Sequence, residues 1–351
     1  MTSIDHTRAT VEQLAEFDTV IDARSPAEFA EDHIPGAINC PVLDNEQRIL
    51  VGTLYKQSSP FEARKVGAVL VARNVANHIE TYFADKPKSW KPLVYCWRGG
   101  QRSGAFTHIL REVGWSAKRL QGGYKSWRHH VIEQLGSVPQ VLRFTVVAGP
   151  TGSAKTRVLE ALERQGHQVL NLEALAQHKG SVLGDLPGQP QPSQKMFETL
   201  VHAAVSGFDP ARTVFVESES KRVGQLRVPD AVFEGIQSGN WVRVQASMEE
   251  RVLFLLRDYD YFLSGPELEQ QLDRLKELCG GETIKRWKSL AASKEFATLV
   301  AELLVQHYDR FYQRSLNNHA EASTPQATFV AQDLSAEGIE ALARAIGAAA
   351  S

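Results

Sequence analysis

The sequence predicts an α/β protein with two consecutive domains, each built on a parallel sheet. Short apolar runs of strand type alternate with stretches of helical periodicity, and this alternation is typical of parallel sheets covered by helices on both faces. The alternation is interrupted at 135–140, LGSVPQ, where a glycine and a proline break a helical pattern. The chain of 351 residues is long enough for two domains. We therefore predict domains at 1–137 and 138–351.

In the first domain, apolar runs predict three strands, and helical periodicity predicts the segments between them. The strands are expected at 17–24, 92–97 and 117–123. The helices are expected at 25–34, 60–83 and 103–114, with a further helix ending near residue 135. The helix at 25–34 begins with a serine followed by acidic residues, which is a helix-start pattern, and Gly114 is a typical helix stop.

The second domain repeats the alternation and then becomes helical. Strands are expected at 141–149, 167–172, 212–218, 240–246 and 327–333, and a helix at 155–166. Residues 247–316 are helical in pattern almost throughout, so we expect a helical insertion there. Its clearest apolar stripe consists of Leu299, Val300, Leu303, Leu304, Tyr308 and Phe311.

The composition excludes several classes of protein. Hydrophobic residues make up 43% of the chain and charged residues 23%, which argues against a disordered, collagen-like or coiled-coil chain. The net charge of −2 argues against a surface that is basic throughout. Cys40, Cys96 and Cys279 are too few and too scattered for a disulfide framework or a four-cysteine zinc site. No signal peptide and no long apolar span is visible, so we expect a cytoplasmic protein without a membrane partner. Apart from Mg²⁺ at the phosphate loop described next, the sequence suggests no metal site.

A phosphate-binding loop is predicted at residues 149–156, GPTGSAKT, between the strand 141–149 and the helix that follows. Its glycines allow backbone N–H groups to turn toward phosphate oxygens, and the helix N-terminus adds a partial positive charge. Lys155 is expected to reach the phosphates and Thr156 to hold Mg²⁺, with Gly149, Gly152 and Ser153 forming the cradle. Ala154 departs from the usual pattern, which has glycine before the lysine. The alternative is an ordinary glycine-rich turn.

The apolar strand near 213–217 ends in acidic residues, as a Walker-B-like strand does. Glu217 or Glu219 is a candidate for positioning Mg²⁺ or water. For either residue alone, a solvated turn is nearly as good an interpretation.

A candidate nucleophile lies in the loop CWRGGQRS, between a buried strand and a helix beginning near Ser103. The helix N-terminus, the backbone N–H groups and the flanking Arg98 and Arg102 all favour a thiolate at Cys96. The alternative is a cysteine that only packs, which is how we interpret Cys40 and Cys279. Cys96 and Arg102 also have the C-x5-R spacing of cysteine phosphatases. The loop alone therefore permits sulfur or selenium carriage as well as phosphoester cleavage.

A basic and aromatic stretch surrounds this loop. Residues 86–130 contain ten lysines and arginines but one acid, Glu112, so the near-neutral total hides a polarised chain. Basic side chains bind RNA phosphates, and aromatic side chains stack on unpaired bases. The same aromatic residues are equally compatible with a hydrophobic core, and both interpretations stay open. They are Trp90, Trp97, Trp115, Tyr124 and Trp127.

Two segments of the first domain, IDARSPAEFAEDHIPGAINCPV at 21–42 and the Cys96 loop, are similar to the rhodanese family. Together with the phosphate loop, LNLEALAQHKGS at 170–181 and VESESKRVG at 216–224, they closely resemble the tRNA 2-selenouridine synthase family over roughly residues 10–335. The resemblance implies a rhodanese-like domain followed by a P-loop NTPase-like domain with a helical insertion.

Members of that family act on the wobble uridine of tRNA. The resemblance implies transfer of a geranyl group from geranyl diphosphate to 2-thiouridine, and replacement of the sulfur by selenium from selenophosphate. It implies no redox cofactor, and it implies tRNA and a selenophosphate-supplying enzyme as partners. Cys96 would accept selenium or assist its transfer, with Arg98 and Arg102 binding selenophosphate. Residues expected to contact tRNA are Trp97, Arg119, Lys125 and Arg128.

Two other functions stay open. One is a rhodanese-type sulfurtransferase that delivers sulfur to a partner under nucleotide control. The other is a phosphatase or kinase-like enzyme acting on a small phosphorylated substrate, although the sequence shows no acid near the Cys96 loop to protonate a leaving group.

Overall fold

The computed structural model describes residues 7–181, 183–186, 188–218, 220–258, 268–318 and 325–350. The chain forms two compact units, one of residues 1–134 with 192–203 and the other of residues 135–191 with 204–351. Segment 192–203 thus packs within the first unit, although it follows the predicted boundary by more than fifty residues. Each unit contains a parallel sheet with helices, so the predicted α/β class is confirmed.

The first unit contains a five-stranded parallel sheet in the order β1-β5-β4-β2-β3. Its strands are Arg8–Ala9 (β1), Thr19–Asp22 (β2), Ile38–Asn39 (β3), Pro92–Tyr95 (β4) and Lys118–Leu120 (β5). All four residues of the central β4 are buried, which explains its uninterrupted apolar sequence. The sequence pattern did not indicate β1 or β3 because two residues are too few to show periodicity.

Five α-helices lie between and after these strands, within the described residues up to 137. They are Pro26–Glu31 (α1), Asn45–Gln57 (α2), Pro60–His78 (α3), Gln101–Val113 (α4) and Tyr124–Ser137 (α5). The N-cap of α1 is Ser25, which forms a capping box with Glu28. Helix α4 is capped at its C-terminus by Gly114, whose φ is +107°. Helix α2 buries none of its residues, so it lacks the amphipathic pattern that would have predicted it.

The core of the first unit contains most of the aromatic residues from the basic stretch. Trp90, Trp115, Trp127 and Tyr124 are each at most 8% exposed. The rings of Trp90 and Trp115 meet edge to face with centroids 5.1 Å apart. The structure therefore supports the core interpretation for these four residues, while Trp97 is partly exposed.

The second unit contains a five-stranded parallel sheet in the order β12-β11-β6-β8-β7. A short antiparallel hairpin, β9-β10, lies apart from it. The strands are Arg143–Ala148 (β6), Gln168–Leu170 (β7), Thr213–Glu217 (β8), Arg222–Val223 (β9), Leu226–Arg227 (β10), Asn240–Gln245 (β11) and Ala327–Val330 (β12). The strand that precedes the predicted phosphate loop, β6, is again the central one.

Eleven helices in the described part of the chain follow β6. They are Lys155–Arg164 (α6), Leu172–Ala176 (α7), Gln194–Ser206 (α8), Asp230–Gln237 (α9), Met248–Asp258 (α10), Leu268–Asp273 (α11), Lys276–Cys279 (α12), Gly281–Ala292 (α13), Phe296–Leu303 (α14), Asp309–Asn318 (α15) and Ala336–Ala349 (α16). The first part of α8 belongs to the segment that packs within the first unit. Helices α6 and α16 pack their apolar faces on the β6 sheet.

The predicted helical insertion is present as α10–α15 and has its own core around Trp287, which is fully buried. The predicted stripe includes Phe311, and that part of the prediction is wrong because Phe311 is 43% exposed. A π-helical turn at Leu304–Tyr308 adds a residue to the turn and rotates the following face away from the core. Within the described part of the chain, no helix combines the length and apolar character needed to span a membrane.

Candidate active sites

The cysteine loop connects the central strand β4 to α4, at the sheet edge where open α/β folds bind ligands. Cys96 is 3% exposed, and its Sγ lies 3.2 Å from the Oγ of Ser103. Ser103 is fully buried in the first turn of α4, and its hydroxyl also donates to the Gly100 carbonyl oxygen at 3.4 Å, so it is held in place beside the sulfur. Sequence reasoning treated Ser103 as a helix start and missed this contact.

Close backbone packing fixes the path of the loop. Gly99 and Gly123 have φ values of +65° and +63°, in the left-handed region that favours glycine. A Cβ atom on Gly99 would lie 2.7 Å from the carbonyl oxygen of Leu120, and one on Gly123 would overlap the carbonyl oxygen of Cys96. The N–H of Tyr124 donates to that same Cys96 carbonyl at 2.8 Å. The start of α5 therefore anchors the backbone of Cys96.

The two arginines of the loop are in different environments. Arg98 is exposed. Arg102 donates from Nη1 and Nη2 to the two carboxylate oxygens of Glu28, at 2.7 and 3.2 Å. Burial opposes ionisation of Glu28, but hydrogen bonds from Arg102, the Ser25 backbone and Arg48 lower its pKa to about 2. One of the two predicted anion-binding arginines is thus already ion-paired to α1, a contact that the sequence did not indicate.

A buried polar network packs next to the Cys96 loop. The Arg24 guanidinium, 1% exposed, lies 2.6 Å from an Asp22 oxygen and donates to the Asp32 carbonyl at 2.6 Å. The Tyr124 hydroxyl donates to the Asp32 carboxylate at 2.7 Å. Trp97 stacks on the Tyr124 ring with centroids 5.3 Å apart. The Asp-x-Arg segment therefore has a structural role, because it holds the aromatic pair beside Cys96.

The predicted tRNA-contacting residues differ in accessibility. Lys125 is exposed, whereas Trp97 and Arg119 are partly exposed. Arg128 forms an ion pair with Glu198 and lies mostly buried under α8. Of the four, Lys125 is the exposed one, and Trp97 is the one that directly follows Cys96.

The other two cysteines pack, as expected. Burial, with the nearby Asp22 charge, raises the pKa of Cys40 to about 12. Burial also raises the pKa of Cys279. Neither thiol is activated as a nucleophile near neutral pH.

The phosphate loop has the predicted strand–loop–helix form, because β6 ends at Ala148 and α6 begins at Lys155. Gly152 has φ +83°, and a Cβ on Gly149 would lie 2.7 Å from the Val244 carbonyl oxygen, so both positions require glycine. Ala154 has φ +58°, a conformation that costs a non-glycine residue about 1 to 2 kcal/mol. Its methyl group packs in the core below the sheet, which offsets part of that cost.

Two polar side chains of the phosphate loop donate hydrogen bonds to carbonyl oxygens of the same loop. The Lys155 ammonium donates to the carbonyl oxygens of Gly149 and Pro150 at 2.9 and 3.3 Å. The Ser153 hydroxyl donates to the Pro150 carbonyl at 2.8 Å and is fully buried. Lys155 is therefore held over the loop that the sequence assigns to phosphate, whereas the Ser153 side chain stabilises the loop itself.

Two carboxylates, one buried and one partly exposed, converge on Thr156. Its hydroxyl donates to Glu173 at 3.0 Å and lies 3.4 Å from Glu217, which ends β8 and is 1% exposed. Burial raises the pKa of Glu173, although Lys155 and Thr156 counteract it. Glu173 was not predicted as a site residue; its signals were an acid just after β7 and its place in segment 170–181, one of those that carry the family resemblance. The other predicted acid, Glu219, lies outside the described residues.

This oxygen-only donor set is the kind that Mg²⁺ prefers. Among the residues that the structure describes, no group of three or more His, Cys, Asp or Glu side chains forms a candidate metal site.

An arginine that the sequence did not single out holds the phosphate loop from the insertion. Arg251 of α10, 6% exposed, donates to the Thr151 carbonyl at 2.8 Å. It also pairs with Asp309 of α15 at 2.5 and 3.1 Å. Two helices of the insertion are thereby attached to the loop, which supports a role as a packing platform.

Comparison with known proteins gives two family matches. Residues 142–333 match the family described as the tRNA 2-selenouridine synthase AAA domain, and residues 7–130 match the rhodanese-like domain family. The chain is also similar to the N-terminal domain of a Clostridium difficile 630 protein described as ATP/GTP-binding. The two share 35% identity, with a TM-score of 0.32, over 35% of this chain and 97% of that one.

Individual relatives carry the same description. A tRNA 2-selenouridine synthase of Nitrosomonas europaea is 35% identical over 68% of this chain, and the match spans 63% of that relative's length. One of Alcanivorax borkumensis is 30% identical over 86% of this chain and 90% of its own length.

Proposed function

The chain belongs to the tRNA 2-selenouridine synthase family, and on this premise we propose that it is a transferase that modifies the wobble uridine of tRNA. The proposed reactions are geranylation of 2-thiouridine by geranyl diphosphate and replacement of the geranylated sulfur by selenium from selenophosphate. The observation that carries the proposal is the pair of loops described above. One bears a thiol and the other has a phosphate-binding form, and each follows the central strand of a parallel sheet.

In the first step, the S2 atom of 2-thiouridine forms a bond to C1 of the geranyl group. The C1–O bond of geranyl diphosphate breaks, pyrophosphate leaves, and the N3 proton of the base passes to solvent. The backbone of residues 149–154 and the N-terminus of α6 bind the diphosphate, and Lys155 stabilises the charge that develops on pyrophosphate. Mg²⁺, held by Thr156 with Glu173 and Glu217, would neutralise further charge on the diphosphate.

In the second step, selenium attacks C2 of the geranylated base and geranylthiol leaves with the electron pair of the C–S bond and a proton. Water cleaves the Se–P bond and releases phosphate. Selenium is already reduced in selenophosphate, so storing it on Cys96 as a perselenide would need an oxidant that neither substrate supplies. We therefore assign Cys96 to assisting the displacement at C2, with Arg98 and the loop N–H groups binding selenophosphate.

Mass analysis of wobble nucleosides tests this proposal. Thiolated tRNA is incubated with the full chain and with each donor separately and together. Lys155→Ala should lose geranylation, whereas Cys96→Ser should retain geranylation and lose selenation. Cys279→Ser is the matched control and should retain both. Undiminished selenation by Cys96→Ser would remove that thiol from the mechanism, and full geranylation by Lys155→Ala would refute the role of the phosphate loop.

If the chain forms neither product, the proposal is refuted. Two further assays then distinguish between a phosphatase and a sulfurtransferase. Turnover of an aryl phosphate that is lost with Cys96 would indicate a phosphatase. Transfer of sulfur from thiosulfate that is lost with the same variant would indicate a sulfurtransferase.

A further inference from the structure

Lys179 lies on a segment that is docked against the phosphate loop. The segment begins with α7, whose N-terminus is capped by the Asn171 side chain accepting from the Ala174 N–H at 2.9 Å. Glu173 in its first turn accepts the hydroxyl hydrogen bond of Thr156 at 3.0 Å. Helix α7 is therefore tied directly to the residue that follows the P-loop lysine.

The turn that carries Lys179 is fixed by a buried histidine. Helix α7 ends at Ala176, its C-cap Gln177 has a φ of +50°, and the next residue, His178, is only 6% exposed. The Nδ1 of His178 accepts the Gly180 N–H at 3.1 Å, so it holds the backbone on the far side of Lys179. Cβ atoms on Gly184 or Gly224 would lie 2.8 Å from the imidazole ring, which shows how closely the chain surrounds it.

The Lys179 side chain is directed toward α10. Its ammonium lies 3.1 Å from an Asp258 oxygen, and the Arg157 guanidinium lies 2.5 Å from the other oxygen of the same carboxylate. The Asp258 side chain is 9% exposed and that of Lys179 is 19% exposed. Asp258 is thus a common partner of Lys179 and Arg157. Arg157 lies in the first turn of α6, two residues after Lys155.

Helix α10 also runs along the phosphate loop. A Cβ on Gly152 would lie 3.0 Å from the Leu255 side chain, and Asp258 follows Leu255 by about one helical turn. Burial raises the pKa of Glu173, and the charges of Lys155 and Lys179 both counteract it, which is consistent with two ammonium groups near one carboxylate. These contacts place Lys179 near Glu173, which binds Thr156, and near Asp258, which also binds Arg157 of α6.

We propose that Lys179 is a second phosphate-binding lysine, which contacts the diphosphate of the prenyl donor and stabilises the departing pyrophosphate. This inference rests on the proposed function, in which the phosphate loop binds geranyl diphosphate. In the free protein Asp258 holds Lys179. A bound diphosphate carries more negative charge than one carboxylate and attracts the lysine more strongly, while Arg157 continues to neutralise Asp258.

Calorimetric titration of the full chain with inorganic pyrophosphate tests the assignment. Lys179→Met should weaken binding about tenfold or more, because a charge-assisted contact is lost. Lys179→Arg should stay within about threefold of the unchanged chain, since the charge is kept. The matched control is Lys221→Met, which removes an exposed lysine paired with Asp230 in the same unit and should have no effect.

Asp258→Asn separates phosphate binding from a purely structural ion pair. It removes the resting partner of Lys179 but keeps the lysine, so pyrophosphate should bind at least as tightly as to the unchanged chain. Equal weakening by Lys179→Met and Asp258→Asn would overturn the inference and leave only the ion pair.

The remaining outcomes distinguish the inference from the proposed function. Normal binding by Lys179→Met together with lost binding by Lys155→Ala would overturn the role of Lys179 and leave the phosphate loop intact. Absence of pyrophosphate binding by the unchanged chain would refute both.

Discussion

The guanidinium of Arg102 is held by the carboxylate of Glu28 through two hydrogen bonds, 2.7 and 3.2 Å long. This pair joins the first turn of α1 to the first turn of α4, the helix whose N-terminus faces the Cys96 loop. Glu28 also caps α1 through Ser25 and accepts from Arg48 at 2.9 Å. One carboxylate therefore fixes both the helix start and the arginine that completes the C-x5-R spacing.

Glu28 should make the stability of the first unit depend on acid pH. Its pKa is lowered from 4.5 to about 2, so its contribution is present above pH 4.5 and is lost as the pH falls toward 2. Glu28→Gln should lower the free energy of unfolding by about 2 kcal/mol at pH 7, and the difference should shrink on acidification. Thermal unfolding from pH 7 to pH 3 measures it. Glu62→Gln, at an exposed pair with Lys65, is the control, and a pH-independent deficit would contradict the prediction.

Ser103 should support the reactivity of Cys96. Its hydroxyl lies 3.2 Å from the sulfur, so Ser103→Ala removes the hydrogen bond between the two groups and should slow alkylation of Cys96 about tenfold. Mass spectrometry of iodoacetamide-treated protein measures the rate at each cysteine. Thr107→Val removes a hydroxyl one turn further along α4, where it bonds the Ser103 carbonyl, and reports any general effect on the helix. Equal rates in the two variants would contradict the role of Ser103.

Ala154 tests how tightly the phosphate loop is built. Ala154→Gly relieves the left-handed strain at φ +58° but loses a buried methyl group, so stability should change by less than about 1 kcal/mol. Ala154→Val should cost about 3 kcal/mol, because a branched side chain fits neither that backbone nor the packed core. Chemical denaturation provides both values. If the valine variant were as stable as the unchanged chain, residue 154 would not adopt the left-handed conformation described here.

Arg251 should couple the insertion to the phosphate loop. Arg251→Met leaves the Thr151 carbonyl and the Asp309 carboxylate without their donor, and should cost about 3 kcal/mol and weaken pyrophosphate binding. Asp309→Asn keeps the bond to Thr151, so it should reduce stability less and leave pyrophosphate binding unchanged. Denaturation and calorimetry on both variants test this. Equal losses of binding would show that the loop depends on α15 as much as on Arg251.

The basic stretch should make tRNA binding strongly dependent on salt, despite the acidic total charge. Lys125 is exposed, so Lys125→Ala should reduce the slope of log affinity against log salt by about 0.7 to 0.9. Arg128→Ala should leave the slope unchanged, because Arg128 is paired with Glu198. Filter binding between low and high salt gives the slopes, with Lys285→Ala as the control on α13. If the tRNA affinity of the unchanged chain did not depend on salt, the basic stretch would be excluded as the tRNA-binding surface.

Periodicity and motif order correctly predicted most of the long elements, although helices α8, α9 and α16 were not predicted. Strand β6, the phosphate loop and α6 follow from a buried apolar run, glycines that permit turning, and a helical stripe, all of which are local properties. Helix α2 and strands β1 and β3 were missed, because an exposed helix and two-residue strands have no pattern to detect. Phe311 was wrongly assigned to the buried stripe, because the π-helical turn rotates the helix face and no sequence pattern indicates that turn.

By itself the sequence determined the fold class, the family, and the positions of Cys96 and Lys155, because these depend on residue types within short segments. Tertiary structure alone decided that most tryptophans of the basic stretch form core, that Glu28 occupies Arg102, and that Ser103 faces the sulfur. It alone brought Glu173 to Thr156 and Lys179 to Asp258. These last two pairings join residues 17 and 79 positions apart, and no local pattern encodes which charges meet once the helices pack on the sheets.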